Sequence, residues 1–357
     1  MARFTISNAT IPADSTFLVT GVNGLISSHI ADQILAAGYK VRGTVRSISK
    51  NQWLADLMSA RHGPDRIQLV EVPNLADPAI RSDLVRGVAG IASVAGSARP
   101  STIDTVDASV QEEFAAHTNL LEAAMAEPGM KSFVFTSSAW AAWTPQAGTP
   151  TTLTKESYNE LAEQLLEDDT LPAGVRSFFK YMAVKTKVEQ AIWEWVAREK
   201  PRFAFNTILP DTVLGPILDA ERQGGSTAGM VRWLWNGENL QVLENIPPQW
   251  FIDGRDLGRV YLACMVSGST DRQRIFGFAD RYSWPKILEI LKRIAPEKKD
   301  LVDLPDAGWD QTDVPNESAL ELLQTTSQEK WTSLEKSVED GVDSFVGKVF
   351  ESSGAVI

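Results

Sequence analysis

What most limits the fold of this chain is a rhythm. Over residues 1–210 short apolar runs alternate with helical patterns, the arrangement of βαβ units on a parallel sheet. Strands are expected at Thr16–Thr20, Lys40–Arg46, Arg66–Pro73, Val88–Ala95, Ser132–Ser138 and Phe203–Pro210. Between the first two, Ile26, Ile30 and Ile34 recur every four residues and lay one apolar stripe along a helix that stops at Gly38. Helical patterns at 49–60, 77–87, 108–126 and 178–199 fill the other crossovers. Six strands joined in this way predict an α/β fold with a Rossmann-like, doubly wound parallel sheet.

After Pro210 the rhythm changes. Pro210, Gly215, Pro216, Gly224, Gly225 and Gly229 break the chain into loops, followed by a Trp-bearing helix near 228–235 and then Pro247-Pro248. Helical patterns return at 255–267, 284–294 and 316–346, with a strand-like Arg274–Phe278. The expected division is a dinucleotide-binding domain over 1–209 and a smaller C-terminal α/β substrate domain over 210–357, with some elements returning to the first.

Composition removes several classes of function. Of 357 residues, 46 are Asp or Glu and 34 Lys or Arg, a net charge of −12 that repels nucleic-acid phosphates and anionic lipid. Cys264 stands alone, so an intramolecular disulfide and a multi-cysteine metal site are excluded. His29, His62 and His117 are spaced for neither a metal site nor a catalytic triad, so no metal is expected. Met1–Pro12 carries Arg3 and no apolar run of signal-peptide length, and no stretch anywhere approaches the length of a membrane span. A cytoplasmic protein, monomeric or homodimeric, with a small-molecule partner is the expectation.

Directly after the first strand comes TGVNGLIS. Gly21 and Gly24 stand where strand must turn sharply into helix, so that the free N–H groups of the helix N-terminus point at a diphosphate. Asn23, Leu25 and Ile26 complete the loop and the first helical turn. A bare glycine pattern is weak, but the strand before, the helix after and the second βα unit make it a dinucleotide loop. At the end of the second strand, where a carboxylate would bind a ribose 2′-hydroxyl, the chain reads GTVRSISK instead. Arg46 and Lys50 there favour a 2′-phosphate, hence NADPH over NADH, against the bland reading of solvated surface charges.

YMAVK puts Tyr181 and Lys185 four residues apart on one helix face. A nearby ammonium favours the phenolate, which lets a tyrosine give or take a proton at neutral pH. The competing reading is a partly buried Tyr beside a snorkelling Lys. FVFTSS ends at the carboxyl edge of the sheet, where Ser137 or Ser138 could bind a substrate oxygen; the residues alone do not choose between them.

Glycine loop, Thr-Ser-Ser and Tyr-x-x-x-Lys together resemble the extended short-chain dehydrogenase/reductases. Within these, LVTGVNGLISSHI, YKVRGTVRS, KSFVFTSSAW, KESYNE, YMAVKTKVEQAIWEW and LPDTVLGP are similar to fungal NADPH-dependent aldehyde and methylglyoxal-type carbonyl reductases, with plant dihydroflavonol reductases as cousins. The resemblance runs over nearly the whole chain. It implies hydride transfer from NADPH to a ketone or aldehyde, with Tyr181 as proton donor and Ser138 as the carbonyl-binding hydroxyl. Lys185 would bind the nicotinamide ribose and tune Tyr181. Gly21, Gly24 and Ser27 would hold the diphosphate and Arg46 and Lys50 the 2′-phosphate, while Pro210, Thr212 and Val213 would line the nicotinamide.

There are departures. Gly90 stands where relatives carry a histidine, Asn74-Leu75 replaces their Asp-Leu, and the loop from Gly96 to Val110 is long and lacks their proline. Eleven Trp against five Tyr is unusual. Trp140 and Trp143 follow Ser138, and Trp233 and Trp250 lie in the broken segment, so these four are expected to wall an apolar, aromatic-tolerant pocket. Two rival readings share the scaffold. A sugar-nucleotide epimerase or dehydratase would need basic or polar groups for a second diphosphate, which the Trp-rich second half lacks. A non-catalytic NADP-sensing module would not need Ser138, Tyr181 and Lys185 together.

Overall fold

The computed structural model describes residues 4–78, 81–96, 105–168, 170–223 and 226–346. In chain order the first half contains β1 (Thr16–Val19), α1 (Leu25–Ala36), β2 (Lys40–Val45), α2 (Ile48–His62), β3 (Ile67–Glu71), α3 (Arg81–Val85), β4 (Val88–Ser93), α4 (Val106–Ala126), β5 (Ser132–Thr136), β6 (Thr151–Thr152), α5 (Leu161–Leu165), α6 (Ala173–Glu199) and β7 (Ala204–Pro210). The second contains β8 (Thr212–Leu214), α7 (Ser226–Asn236), α8 (Leu240–Glu244), β9 (Gln249–Asp253), α9 (Gly254–Val266), β10 (Gln273–Gly277), β11 (Asp280–Tyr282), α10 (Trp284–Ile294), β12 (Thr312–Asp313), α11 (Glu317–Gln324) and α12 (Leu334–Val346).

All seven strands of the main sheet run parallel, in the order β10-β7-β5-β4-β1-β2-β3. The six expected strands are present, and β10, from the strand-like Arg274 segment, is the seventh. The order reverses between β1 and β4, and the crevice above their carboxyl ends is where such sheets take ligands. One face packs α1, α9 and α11 in a core built on Ile30, Ile34, Leu257 and Leu323, while Leu121, Val184, Val188 and Ile192 of α4 and α6 fill the other. A second sheet, β11-β9-β8, carries a separate core formed by α7, α10 and α12.

Elements from beyond residue 210 therefore return to the main sheet. α9 crosses α1 closely: a Cβ on Gly258 would lie 2.7 Å from the backbone oxygen of His29. Gly90 is explained in the same way. It sits in register between Phe17 and Ser132, and a Cβ there would meet Ser132 Oγ at 2.6 Å and the Phe17 ring at 2.8 Å. Any side chain in that place would require Ser132 and Phe17 to shift.

The pattern over 316–346 is two helices, not one. α11 ends in a Thr-Thr-Ser turn with Ser327 at φ 64°, and Asp256 holds the connection by accepting from the Thr332 N–H and from Gln328. Asp256 thus anchors this loop, while Asp253 caps α9 through the Arg255 N–H as expected of an acidic residue at a helix start. The helix expected over 77–87 is confined to Arg81–Val85, with residues 79–80 outside the described set. Most of the long loop after Gly96, residues 97–104, and the Gly224-Gly225 break also lie outside it. No described helix is long and apolar enough to cross a membrane.

Candidate active site

The glycine loop is built from both sides of the crevice. Thr20 Oγ1 accepts from the N–H groups of Val94 and Ala95 at 2.8 and 2.9 Å, tying the ends of β1 and β4 together. Gly21 follows at φ 58°, and a Cβ there would lie 2.9 Å from the Ala95 Cβ, so glycine is required on both counts. Its N–H donates to Thr44 Oγ1. Gly24 opens α1 with no side-chain cap, and the first turn carries no acidic residue, which leaves the helix N-terminus open to an anion. Ser27 turns its hydroxyl back to the Thr20 carbonyl at 3.1 Å. Leu25 is buried and Ile26 partly so, both in the core, so these two serve the loop through their backbone.

One residue here was not expected. Gln223, buried after β8, donates to the carbonyls of Asn23 and Gly24 at 3.1 Å each and to Ser28 Oγ at 2.7 Å, which clamps the loop from outside the βαβ unit. No local motif marks it, because its partners lie about 200 residues away.

Arg46 and Lys50 are both exposed just past β2, and neither pairs with an acidic group among the described residues. A carboxylate does stand nearby, brought by β3 rather than β2: Glu71 accepts the Ile48 N–H at 2.8 Å and so caps α2. Asn74 closes its own turn by accepting the Ala76 N–H. The open α1 terminus, the cramped Gly21 and the two uncommitted cations fit a dinucleotide that carries an extra phosphate.

At the end of β5 the two serines separate. Ser137 Oγ donates to Glu189 Oε2 at 2.7 Å, both buried, so its hydroxyl is committed within the fold. Ser138 is half-buried; its oxygen accepts the Trp140 N–H at 3.2 Å and its proton has no acceptor among the described residues. The short helical turn opened by Ser138 leans on α6, with the Trp140 ring edge-on to Tyr181 at 6.0 Å and to Phe178 at 5.7 Å.

Tyr181 is half-buried, and the Lys185 Nζ lies 5.8 Å from its ring centre. Lys185 itself is buried and bonds to Glu113 of α4. Burial alone would drive it toward the neutral amine, but the Glu113 carboxylate, with smaller help from Tyr181 and Glu189, outweighs this and holds the ammonium above its ordinary range. His117, one turn along from Glu113, sits 4.0 Å from that carboxylate and 2.7 Å from Ser93 Oγ. Burial pushes His117 down to about 4. Glu113 was not marked by the sequence as part of the site, since an acidic residue on a crossover helix looks solvent-facing.

β7 ends at Pro210, and Thr212 and Val213 begin β8, all three buried. Thr212 Oγ1 is 2.9 Å from the Tyr282 hydroxyl. Between them Asp211 accepts the N–H groups of Thr212 and Trp250, and burial pushes its carboxyl well above the usual range.

The tryptophans divide. Trp140 is half-buried beside Tyr181 and donates its Nε1–H to Gln249 at 2.8 Å. Trp143 and Trp250 are buried against Phe278 at 5.7 and 6.0 Å, in the cluster on which Trp140 packs. Trp233 is partly buried and packs against the separate core formed by α7, α10 and α12. A cavity of about 330 Å³ between α5 and α6, lined by Glu160, Glu163, Glu167 and Lys187, includes none of Ser138, Tyr181 and Lys185.

With this geometry the relatives can be compared. The chain is 35% identical to aldehyde reductase 2 of Sporidiobolus salmonicolor over 95% of its length and 98% of that protein's. It is also 35% identical to ketoreductase adrE of Penicillium rubens over 94% and 98%. Among solved structures, Gre2 of Candida albicans in complex with NADPH superposes with a TM-score of 0.74 at 21% identity, covering 95% of this chain and 100% of that one. Residues 17–276 match the NAD dependent epimerase/dehydratase family, and the chain belongs to that family.

Proposed function

We propose that the protein is an NADPH-dependent carbonyl reductase that converts a ketone or aldehyde to an alcohol. The observation that carries this is the uncommitted hydroxyl of Ser138 opening a turn packed against Tyr181, with Lys185 held as an ammonium below the phenol. The reductase and ketoreductase names of the two fungal relatives support the same reading.

Gly21, Gly24, Ser27, Arg46 and Lys50 would hold the dinucleotide, with Pro210, Thr212 and Val213 against its nicotinamide end. When bound, NADPH supplies the hydride. Ser138 donates a hydrogen bond to the carbonyl oxygen and orients it. Tyr181 delivers a proton to that oxygen as negative charge develops there, and Lys185 stabilises the phenolate that remains. Trp140 presents an apolar ring to the substrate.

Loss of NADPH absorbance with aromatic ketones, keto esters and small aldehydes tests the reading, and tight NADPH binding with no turnover of any carbonyl would overturn it. The aromatic ring that Trp140 sets beside Tyr181 favours a carbonyl with apolar substituents over a sugar-nucleotide substrate. For Arg46→Ala, loss of a charge-assisted contact of about 1.5–3 kcal/mol should raise the KM for NADPH roughly 10–100-fold and leave NADH nearly unchanged. Equal effects on both cofactors would remove the 2′-phosphate assignment. Trp140→Ala should change the preference between a bulky aromatic ketone and a small aldehyde by roughly tenfold, read as the ratio of kcat/KM values. An unaltered ratio would make Trp140 a packing residue.

A further inference from the structure

The ion pair under Tyr181 joins two helices. Glu113 on α4 is fully buried, the Lys185 side chain on α6 is 9% exposed, and the two are bonded directly. The backbone after β4 packs hard against the carboxylate: a Cβ on Gly96 would lie 2.8 Å from Glu113 Oε1. The backbone thus packs closest to the same carboxylate oxygen that bonds Lys185.

Among the described residues, the other charged or titratable groups that bear on Lys185 are Tyr181, Glu189 and His117. Tyr181, one turn back on α6, also raises the proton affinity of Lys185, less than the Glu113 charge does. His117 on α4 is uncharged, because burial pushes it down to about 4. Glu189, one turn forward on α6, is bonded to Arg274 of β10 at 2.6 and 3.1 Å and to Ser137. A buried ammonium without a counter-ion loses its proton readily.

Building on the carbonyl reductase reading, we propose that Glu113 is a positioning residue for the reaction: as the buried counter-ion of Lys185 it keeps that side chain charged and in place beneath Tyr181. Glu113 touches neither substrate nor cofactor in this scheme and acts through the lysine. Because Glu113 raises the proton affinity of Lys185 against burial, removing it lets the lysine become neutral at a pH where the native protein still holds an ammonium. The support Lys185 gives to Tyr181 then fails from the alkaline side.

The test is Glu113→Gln in the full chain, with two readouts. NMR of lysine-labelled protein, with the Lys185 signal identified by its loss in Lys185→Met, should show Lys185 titrating at least about one pH unit lower than in the native protein. The alkaline limb of the reductase pH–rate profile should move down by a similar amount. Glu113→Asp, which keeps the charge, should recover most of the native behaviour, and His117→Phe should leave it unchanged. An unshifted Lys185 in Glu113→Gln would overturn the proposal, as would an equal shift in His117→Phe, which would trace the effect to packing. The NMR readout needs no turnover, so a native protein inactive on every carbonyl would defeat the reductase reading while the counter-ion role was still decided. Should Glu113→Gln not fold, the double variant Glu113→Gln/Lys185→Met decides: recovered folding points to an unpaired ammonium and supports the role, and continued failure assigns it to packing and overturns it.

Discussion

Tyr181→Phe should lower kcat for carbonyl reduction by about 10²–10⁴-fold, the usual worth of a positioned proton donor, while NADPH still binds with nearly native affinity. The substitution removes one oxygen from a half-buried ring and keeps the edge-on contact with Trp140. Packing is therefore preserved and the loss falls on chemistry. Single-turnover kinetics at saturating NADPH, combined with cofactor binding followed by fluorescence, separate the two effects. Turnover within a few-fold of native would mean that another group supplies the proton, and the mechanism would have to be rebuilt around it.

Arg274→Leu should destabilise the fold by about 3–5 kcal/mol, since it strands a buried carboxylate. Arg274 is 5% exposed and makes two bonds to the fully buried Glu189, with further bonds to the carbonyls of Lys155 and Ser157 at 2.9 and 2.6 Å and its guanidinium 4.2 Å from the Tyr158 ring centre. Glu189 in turn fixes Ser137, the neighbour of Ser138. Urea unfolding should show the loss in the midpoint, and kcat should fall too as the serine turn loosens. Adding Glu189→Gln should recover part of the stability by removing the stranded charge. No change in the urea midpoint of Arg274→Leu would show that the carboxylate finds water or a proton without cost.

What could be read in the chain follows from the range of the interactions involved. The βα alternation, the glycine loop and the four-residue spacing of Tyr181 and Lys185 are local, and each leaves a periodic trace. Whether Ser137 or Ser138 faces the cleft was not legible, because Glu189 decides it from 52 residues away. Gln223 and Glu113 escaped for the same reason: each meets its partner only after the sheet has formed. The tryptophans misled in a different way. Aromatic residues in a glycine- and proline-broken stretch look like a pocket wall, yet Trp233 lies on the apolar side of α7, which packs against α10 and α12. Hydrophobicity alone does not say which core a side chain joins.

The outermost strand β10 is drawn from residues 273–277, more than 60 residues beyond the strand it pairs with. During synthesis on the ribosome the first half emerges with β7, an apolar parallel strand, as an unprotected margin until the second half arrives. Closing so long a connection makes completion of the sheet a late, slow event. A chain halted before residue 273 would hold the glycine loop, Ser138, Tyr181 and Lys185, yet expose a sticky seam and leave Glu189 without Arg274. The residues proposed for catalysis are thus translated early but secured last, a tie between chain completion and a functional fold that tells against short, partly active fragments.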